Sequence, residues 1–471
     1  MLNIRKIAAI LVGKAIISLS RIAGNQGSTL PGKLASRIYP PLLRELGGNT
    51  YKDTFIVTGT NGKTTTTNMI AAIIREQGCS YVHNQAGANM LAGITTAYIS
   101  QTNIVGTRPM DYALLETDEA NVPLLIKLIK PRYLVITNFF RDQLDRYGEL
   151  DYTIRLILKA VRDTEVEMIL NADDPLESNF PAETGRICWY YGFGETEYDT
   201  LVGAESREGR YCVFCGRELN YSRFHYAQLG VYHCPQCNNH NPPPDFIGSE
   251  LQLTPSLRLK VKDMVIESPF QGFYNAYNVL AATALASLAG FQPEVIRKAI
   301  AGFQPGAGRM ETFNIKGKKV VLILVKNPTG LNQSLSMLLQ DENRQNLFMA
   351  LNDNAADGRD VSWIWDADLE FINGAENRIN RVICSGQRSG DMAVRIKYAG
   401  LNPEKITIEP ELQTGIEQAV DLDSDVSYIL CTYTALFASR KILVKLKKKY
   451  GGIETGPSAD LDERRRQKSE G

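Results

Sequence analysis

The chain has 471 residues, with 52 Lys and Arg balanced by 52 Asp and Glu, so it carries no net charge and gives no global electrostatic reason to bind a polyanion such as nucleic acid. Its length exceeds what one ordinary hydrophobic core organises, and two or three domains are expected. Four of its eight cysteines stand in two C-x-x-C pairs beside a nucleotide-type loop, which points to a reducing cytosol and away from a disulfide framework.

The amino-terminal end is basic: residues 1–48 hold Arg5, Lys6, Lys14, Arg21, Lys33, Arg37 and Arg44 against one acid, Glu45. The apolar run from Ile7 to Leu19 is interrupted by Lys14, which makes it too short to span a bilayer and a poor secretory h-region. It reads as an amphipathic helix packing on the next domain. A membrane-surface contact is the second reading, and it matters if the substrate is lipid-linked. Gly47-Gly48-Asn49 reads as a linker.

From residue 50, strands and helices alternate. A strand over 54–58 runs into Gly59-Thr60-Asn61-Gly62-Lys63-Thr64-Thr65 and a helix from Thr66 to Gln77. This is a phosphate cradle: the two glycines let backbone N–H groups close on phosphate oxygens, Lys63 supplies a positive charge, and the Thr64 hydroxyl can hold Mg²⁺. A standard Walker A loop has its first glycine where Val57 stands, so the spacing here is the shorter G-x-x-G-K-T.

The strand 111–116 ends in Glu116-Thr117-Asp118-Glu119, where a carboxylate can complete a magnesium site begun by Thr64. A solvated acidic turn is the plainer reading of Asp118 and Glu119. A helix over 122–129, a strand over 133–138, a helix near 151–163 and a strand over 167–171 follow. Asn138 and Asn171 close two of these strands, and the βα rhythm implies an α/β domain with a mostly parallel sheet, whose functional loops lie at the strands' carboxyl ends.

Residues 205–245 break the rhythm. Cys212-x-x-Cys215 and Cys234-x-x-Cys237, eighteen residues apart, have the spacing by which two tight knuckles deliver four thiolates to one tetrahedral Zn²⁺. Four sulfurs close the coordination shell, so the ion is expected to be structural, with His225, His233 and His240 left over. After a helix over 278–289 and the Gly308-Arg309-Met310-Glu311 segment, a second βα series (319–325, 346–351, 381–385, 426–432) indicates a smaller α/β domain. The expected division is therefore 1–48, 49–310 with the ribbon inserted, 311–450, and a disordered tail over 451–471.

In order, G-T-N-G-K-T, Glu116, the Asn138-to-Asp145 segment (N-x-x-x-D-x-L-D), Asn171-Ala172-Asp173-Asp174-Pro175, Gly272-x-x-Asn275-x-x-Asn278 and Gly308-Arg309-x-Glu311 resemble the Mur ligase superfamily. The segments Leu351 to Asp360 and Ser385 to Arg388, together with the four-cysteine insertion, resemble the MurT family within it, over about residues 35–445. That resemblance implies a Mur ligase-like central P-loop domain, an inserted four-cysteine zinc ribbon and a Rossmann-like carboxyl-terminal domain. It also implies ATP-dependent amidation of the D-glutamate α-carboxylate in the stem peptide of lipid II, with ammonia supplied by a glutaminase subunit of the GatD type.

By match to the superfamily, Gly59, Thr60, Asn61, Gly62, Lys63, Thr64 and Thr65 would hold phosphate, Thr64 and Glu116 magnesium, Asn275 the adenine or ribose, and Arg309 a nucleotide phosphate. Asp357 would orient the partner's catalytic histidine, with Asp353 as the alternative and a local loop cap as the simpler reading of either. There are departures. Gln143 stands where Mur ligases usually have histidine, Leu324-Val325-Lys326-Asn327-Pro328 replaces D-Y-A-H-N-P, and no counterpart of their carbamylated lysine can be located.

Only four histidines exist, three of them around the ribbon, so a self-contained Cys-His glutaminase is not expected; Cys79, Cys188, Cys384 and Cys431 read as apolar thiols. The competing readings are a superfamily ligase that adds an amino acid to a folate or muramyl peptide, a nucleic-acid-stimulated ATPase, and a catalytically dead scaffold.

Overall fold

The computed structural model describes residues 3–22, 28–84, 88–140, 150–201, 208–254, 256–304 and 309–450. The chain divides into two compact units at residue 304, six residues before the boundary expected from the sequence. The expected carboxyl-terminal tail, Gly308 and the Arg141 to Asp145 segment with Gln143 lie outside the described residues.

In the first unit the strands are β1 (Thr50–Thr58), β2 (Tyr81–His83), β3 (Met110–Glu116), β4 (Tyr133–Ile136), β5 (Glu167–Asn171), β6 (Cys188–Phe193), β7 (Asn220–Tyr226), β8 (Leu229–His233), β9 (Phe246–Gln252), β10 (Leu257–Val261) and β11 (Met264–Ser268). Nine of them form one sheet in the order β11-β10-β9-β6-β5-β4-β1-β3-β2. The run from β2 to β9 is parallel, and β9, β10 and β11 extend it as an antiparallel meander that the sequence did not announce.

The central strands are buried on both sides, as a covered parallel sheet requires. Phe55 and Val57 face a core built with Met69, Ile70, Ile73 and the alanine-rich helix Phe273–Leu288. Ile56 faces the opposite core, to which Ile10, Ile17, Leu42 and Leu46 contribute. The basic amino-terminal stretch is thus three helices, Ile4–Ile22, Leu30–Ile38 and Leu42–Gly47, and its inner face does the packing expected of it. Gly47 is no linker: it ends a helix, and a Cβ there would come within 3.1 Å of the Ile129 side chain.

β7 and β8 form a separate hairpin ribbon within residues 205–245. The second unit is a six-stranded sheet made of β12 (Arg309–Ile315), β13 (Lys318–Leu324), β14 (Gln345–Ala350), β15 (Ile379–Ser385), β16 (Ile406–Ile408) and β17 (Val426–Cys431), in the order β12-β13-β17-β14-β15-β16. Only the β12–β13 pair is antiparallel, joined by Lys316 and Gly317, both at positive φ, as a two-residue type I′ hairpin turn demands. Apolar clusters cover both faces of this sheet, as expected for an α/β domain.

Candidate functional site

The carboxyl ends of β5, β4, β1 and β3 stand side by side on one edge of the large sheet, so Asn171, Asn138, the glycine loop and Glu116 are neighbours there. The loop's shape follows from its two glycines. Gly59 has φ +117° and Gly62 φ +87°; a Cβ on Gly59 would lie 2.3 Å from Thr137 Oγ1, and one on Gly62 would lie 2.1 Å from Asn278 Oδ1. No other residue fits either place without moving a neighbour.

Two layers of polar groups hold the loop. From β4, Asn138 accepts the Thr60 N–H through its backbone carbonyl and the Asn61 N–H through Oδ1, both at 2.9 Å, while the Thr137 hydroxyl donates to Asn61 O at 2.7 Å. Thr60 Oγ1 donates to Phe140 O and accepts from Phe140 N. From the other side, Asn278 Oδ1 accepts the Thr66 hydroxyl at 3.3 Å, and Asn278 is held in turn by Asn275, whose amide donates to Gln271 O. Asn275 therefore stands one residue behind the loop, and Asn278, which sequence reasoning left without a role, touches it.

The helix after the loop begins at Lys63, three residues earlier than expected, with Gly62 as a cap lacking a side chain. Its first-turn amides and the positive end of its dipole are features that favour an anion there. The Thr64 hydroxyl donates to Glu116 Oε1 at 3.0 Å. Glu116 is 3% exposed and is aimed by Asn84, which clamps its backbone: Asn84 Oδ1 accepts the Glu116 N–H and Asn84 Nδ2 donates to its carbonyl. A hydroxyl and a carboxylate this close are a hard-oxygen donor set of the kind Mg²⁺ takes.

Asp118 and Glu119 do not form a solvated turn. Both are buried; Asp118 accepts from Asn89, and Glu119 Oε2 lies 3.2 Å from Lys63 Nζ, which also donates to Gly59 O and Thr60 O. Two buried charges must be paired, and Glu119 supplies the pairing. The signal was present in the sequence as the third acid of the cluster, but only the fold turns it toward the lysine.

Asn171-Ala172-Asp173-Asp174-Pro175 is an assembly point. Asp174 accepts Phe139 N–H at 2.8 Å and Leu176 N–H at 3.1 Å, and burial pushes its carboxyl up to about 6. Asp173, also raised by burial, accepts from Phe193 N–H and from the Tyr277 hydroxyl at 2.7 Å. Glu177, wholly buried, is raised well above the ordinary range by the same desolvation. Gln228, at the turn between β7 and β8, is 2% exposed and donates to Phe139 O at 2.6 Å and to Asp174 Oδ1 at 3.1 Å. The ribbon's turn thus grips the segment Asn138-Phe139-Phe140 that cradles the glycine loop.

At the ribbon's other end the Sγ atoms of Cys212, Cys215, Cys234 and Cys237 all lie within 4.8 Å of one another, with Cys212–Cys237 and Cys215–Cys234 at 3.5 Å. Tetrahedral zinc at ordinary Zn–S lengths separates its sulfurs by about 3.8 Å, so the donor set fits that ion. Each knuckle is closed by a backbone bond, Gly216 N–H to Cys212 O and Cys234 N–H to Asn239 O. The nearby histidines do not join: His225 is buried against Asp199 at 2.8 Å, and His240 bonds Asn238 O.

In the second unit Asp357 is 4% exposed and spends both carboxylate oxygens on Thr434, accepting its N–H at 2.6 Å and its hydroxyl at 2.5 Å at the start of the helix Tyr433–Tyr450. Asn352 and Asn354 also donate to the Thr434 hydroxyl. Asp353 is half-buried, with Arg388 Nε 3.7 Å away. Asn327, where the superfamily pattern has its histidine-containing segment, caps the helix Pro328–Gln340 through Gly330 N–H. Arg309 opens β12, and its side chain lies outside the described residues.

Residues 57–234 match the Mur ligase middle domain and residues 324–436 the MurT ligase C-terminal domain. The chain is 36% identical over 417 residues to the lipid II isoglutaminyl synthase (glutamine-hydrolyzing) subunit MurT of Staphylococcus aureus, covering 88% of this chain and 93% of that one. It is 34% identical over 446 residues to the subunit of the same name from Streptococcus pneumoniae, covering 94% and 98%. Among solved structures, a pseudomurein peptide ligase type C from Methanothermus fervidus superposes with TM-score 0.66 at 20% identity over 84% of this chain and 79% of that one. The MurF ligase of Thermotoga maritima, solved in complex with ADP, superposes with TM-score 0.60 at 14% identity over 88% and 85%.

Proposed function

The chain belongs to the MurT family of Mur ligase-like ligases, and on that premise we propose that it is the ATP-using subunit of a glutamine-hydrolysing amidotransferase that converts the D-glutamate of the lipid II stem peptide to D-isoglutamine. The observation that carries the reading is the pairing of Thr64 with Glu116 and of Lys63 with Glu119 beside a loop shaped by Gly59 and Gly62. Its relatives' printed name and the ADP complex of a structural neighbour support the same chemistry.

In this reading the first-turn amides of the helix Lys63–Glu76 and the Lys63 ammonium receive the β- and γ-phosphates of ATP, with Lys63 drawn from Glu119 toward them. Thr64 and Glu116 would hold Mg²⁺, which when bound offsets charge on the transferring phosphoryl group. A carboxylate oxygen of the D-glutamate attacks the γ-phosphorus, the bond to the β-bridging oxygen breaks, and ADP leaves. Ammonia then adds to the acyl carbon, the acyl C–O bond breaks, and phosphate departs with the former carboxylate oxygen.

The ammonia would come from a GatD-type glutaminase bound as a heterodimer. Each of the four histidines has a partner other than cysteine, in Asn68 and Leu114 O for His83, Asp199 for His225, Asn220 for His233 and Asn238 O for His240. Burial holds the His83 imidazole down at about 4, which suits a structural ring better than a proton carrier at neutral pH. Asp357 is the acid proposed to orient the partner's histidine, a role that would require it to share or release Thr434.

Zinc at the four cysteines would fix the ribbon, whose turn reaches the cradle through Gln228. The enzyme would act in the cytoplasm, on a substrate held at the inner membrane face; no helix among the described residues is long and apolar enough to cross a membrane.

Incubation with ATP, lipid II and ammonium, followed by mass analysis, tests the reaction. Amidation exchanges OH for NH₂ and lowers the product by about one mass unit, whereas the gain of a whole residue would assign the chain to the amino-acid-adding ligases.

A further inference from the structure

The helix Ile4–Ile22 is apolar on two opposite sides. One stripe, centred on Ile10, Gly13 and Ile17, is buried; Gly13 lies so close to Ile99 that a Cβ would meet its side chain at 2.9 Å. At about 100° per residue, Ile4, Ala8, Leu11, Ala15, Leu19 and Ile22 fall together on the far side. That side faces water: Ile4 is 79% exposed, Leu11 46%, Leu19 64% and Ile22 83%. A surface helix ordinarily turns charge outward there, and six aligned aliphatic positions without one charge need a cover.

Charge selects the cover. Lys14 and Arg21 fall on one flank of the stripe and Arg5 on the other, and burial together with the nearby Arg108 holds the Lys14 ammonium below its usual range. The only acid among residues 1–48, Glu45, is already bound to Lys6 at 3.1 Å. A second copy laid on this stripe would set basic flank against basic flank, whereas a sheet of anionic headgroups over an apolar interior matches both features. Lys14 interrupts the apolar run of this continuous helix, so the geometry is that of a helix lying in the interface.

We propose that the outward face of the helix Ile4–Ile22 docks the chain on an anionic bilayer surface, with Ile4, Leu11, Leu19 and Ile22 entering the headgroup boundary and Arg5, Lys14 and Arg21 meeting lipid phosphates. This deepens the functional reading, because it names the surface that brings the site to a lipid-linked substrate. Binding, however, is measured without turnover.

The test is flotation of the full chain with vesicles of phosphatidylcholine and phosphatidylglycerol, compared with phosphatidylcholine alone. The wild-type chain floats with the mixed vesicles, and the double variant Leu11→Glu and Leu19→Glu loses about tenfold or more in partitioning with an unchanged melting temperature, since both side chains are exposed. The triple variant Arg5→Gln, Lys14→Gln and Arg21→Gln, which keeps the apolar stripe, loses the preference for anionic lipid and the salt dependence of binding. Equal flotation of wild type and the double variant, or none by wild type, overturns the proposal. So does a dimer in light scattering that Leu11→Glu with Leu19→Glu splits, since a second copy would then be the cover. Amidation of a lipid-free stem peptide by the double variant at the wild-type rate is expected; failure of that reaction in both proteins would count against the functional reading alone.

Discussion

In both sheets parallel strands end in loops dense with Asn, Asp and Thr, yet the loop after β1 and the loop after β14 use their polar groups oppositely. After β1, backbone and amide partners hold the glycine turn so that Thr64 meets Glu116 and Lys63 meets Glu119. After β14, Asn352, Asn354 and Asp357 all turn onto Thr434 and tie off the start of a helix. Polar density at a strand's carboxyl end therefore does not by itself separate a ligand site from a fold's own cap; what separates them is whether the side chains are held by others or are themselves the holders.

The contrast is broken most decisively at the first loop. Lys63→Ala should lower ATP turnover and amidation by about 10³-fold, because the cation proposed to meet the phosphoryl group is lost. Phosphate release assayed with ammonium as nitrogen donor checks it, and turnover near wild type would make the glycine turn a scaffold feature. At the second loop, Asp357→Asn sharpens the contrast, since an amide oxygen can still accept the Thr434 N–H while the charge is gone. If the residue serves only as a cap, the melting temperature barely moves and the complex with a GatD-type partner hydrolyses glutamine normally. If it also orients the partner's histidine, as proposed, glutamine hydrolysis falls by about 10²-fold or more with ammonium-driven amidation intact.

The ribbon links the four-cysteine cluster to the first loop. If the four cysteines hold zinc, as proposed, its removal by chelation, or Cys215→Ser, should lower the melting temperature by more than about 5 °C, because among the described residues the apolar cluster at that end is small, with Leu219, Tyr221 and Tyr232 beside the cysteines. Calorimetry with and without added zinc reads this directly, and an unchanged transition would assign the cysteines another role.

Smaller effects follow the buried acids. Asp174 titrates at about 6 when folded against about 3.9 in an unfolded chain, so the folded state binds its proton first. Its contribution favours folding below about pH 4 and is lost as the pH rises through 6, a change of about 3 kcal/mol. Asp174→Asn should flatten the wild-type fall in stability between pH 4 and 6, measured at fixed zinc; parallel profiles would contradict it. Gln228→Ala leaves the Phe139 carbonyl without that donor and should cost about 1 kcal/mol, raising KM for ATP about threefold with kcat held. A change in kcat alone would remove the ribbon from the support of the loop.

Much of this was legible in the chain. G-T-N-G-K-T gave the loop because glycine spacing and a lysine are chemistry written locally, and the two C-x-x-C pairs gave the sulfur cluster for the same reason. The apolar runs located most parallel strands within a residue or two. Glu119, Asn84, Asn278 and Gln228 were not legible, since each acts across long sequence separation: Asn278 meets Thr66 over 212 positions and Gln228 meets Phe139 over 89. The antiparallel extension β9 to β11 was also missed, because short alternating segments after an insertion carry little periodic signal. Asp357 was visible as a conspicuous acid, but its burial was not.

The most direct test of the whole account follows an oxygen atom. With the D-glutamate α-carboxylate of lipid II labelled with ¹⁸O, and ATP and ammonium supplied, each turnover should deliver one labelled oxygen from the substrate into inorganic phosphate. Amidated product formed alongside unlabelled phosphate would show that no phosphoryl group reaches the carboxylate, and would contradict the role assigned to the glycine turn.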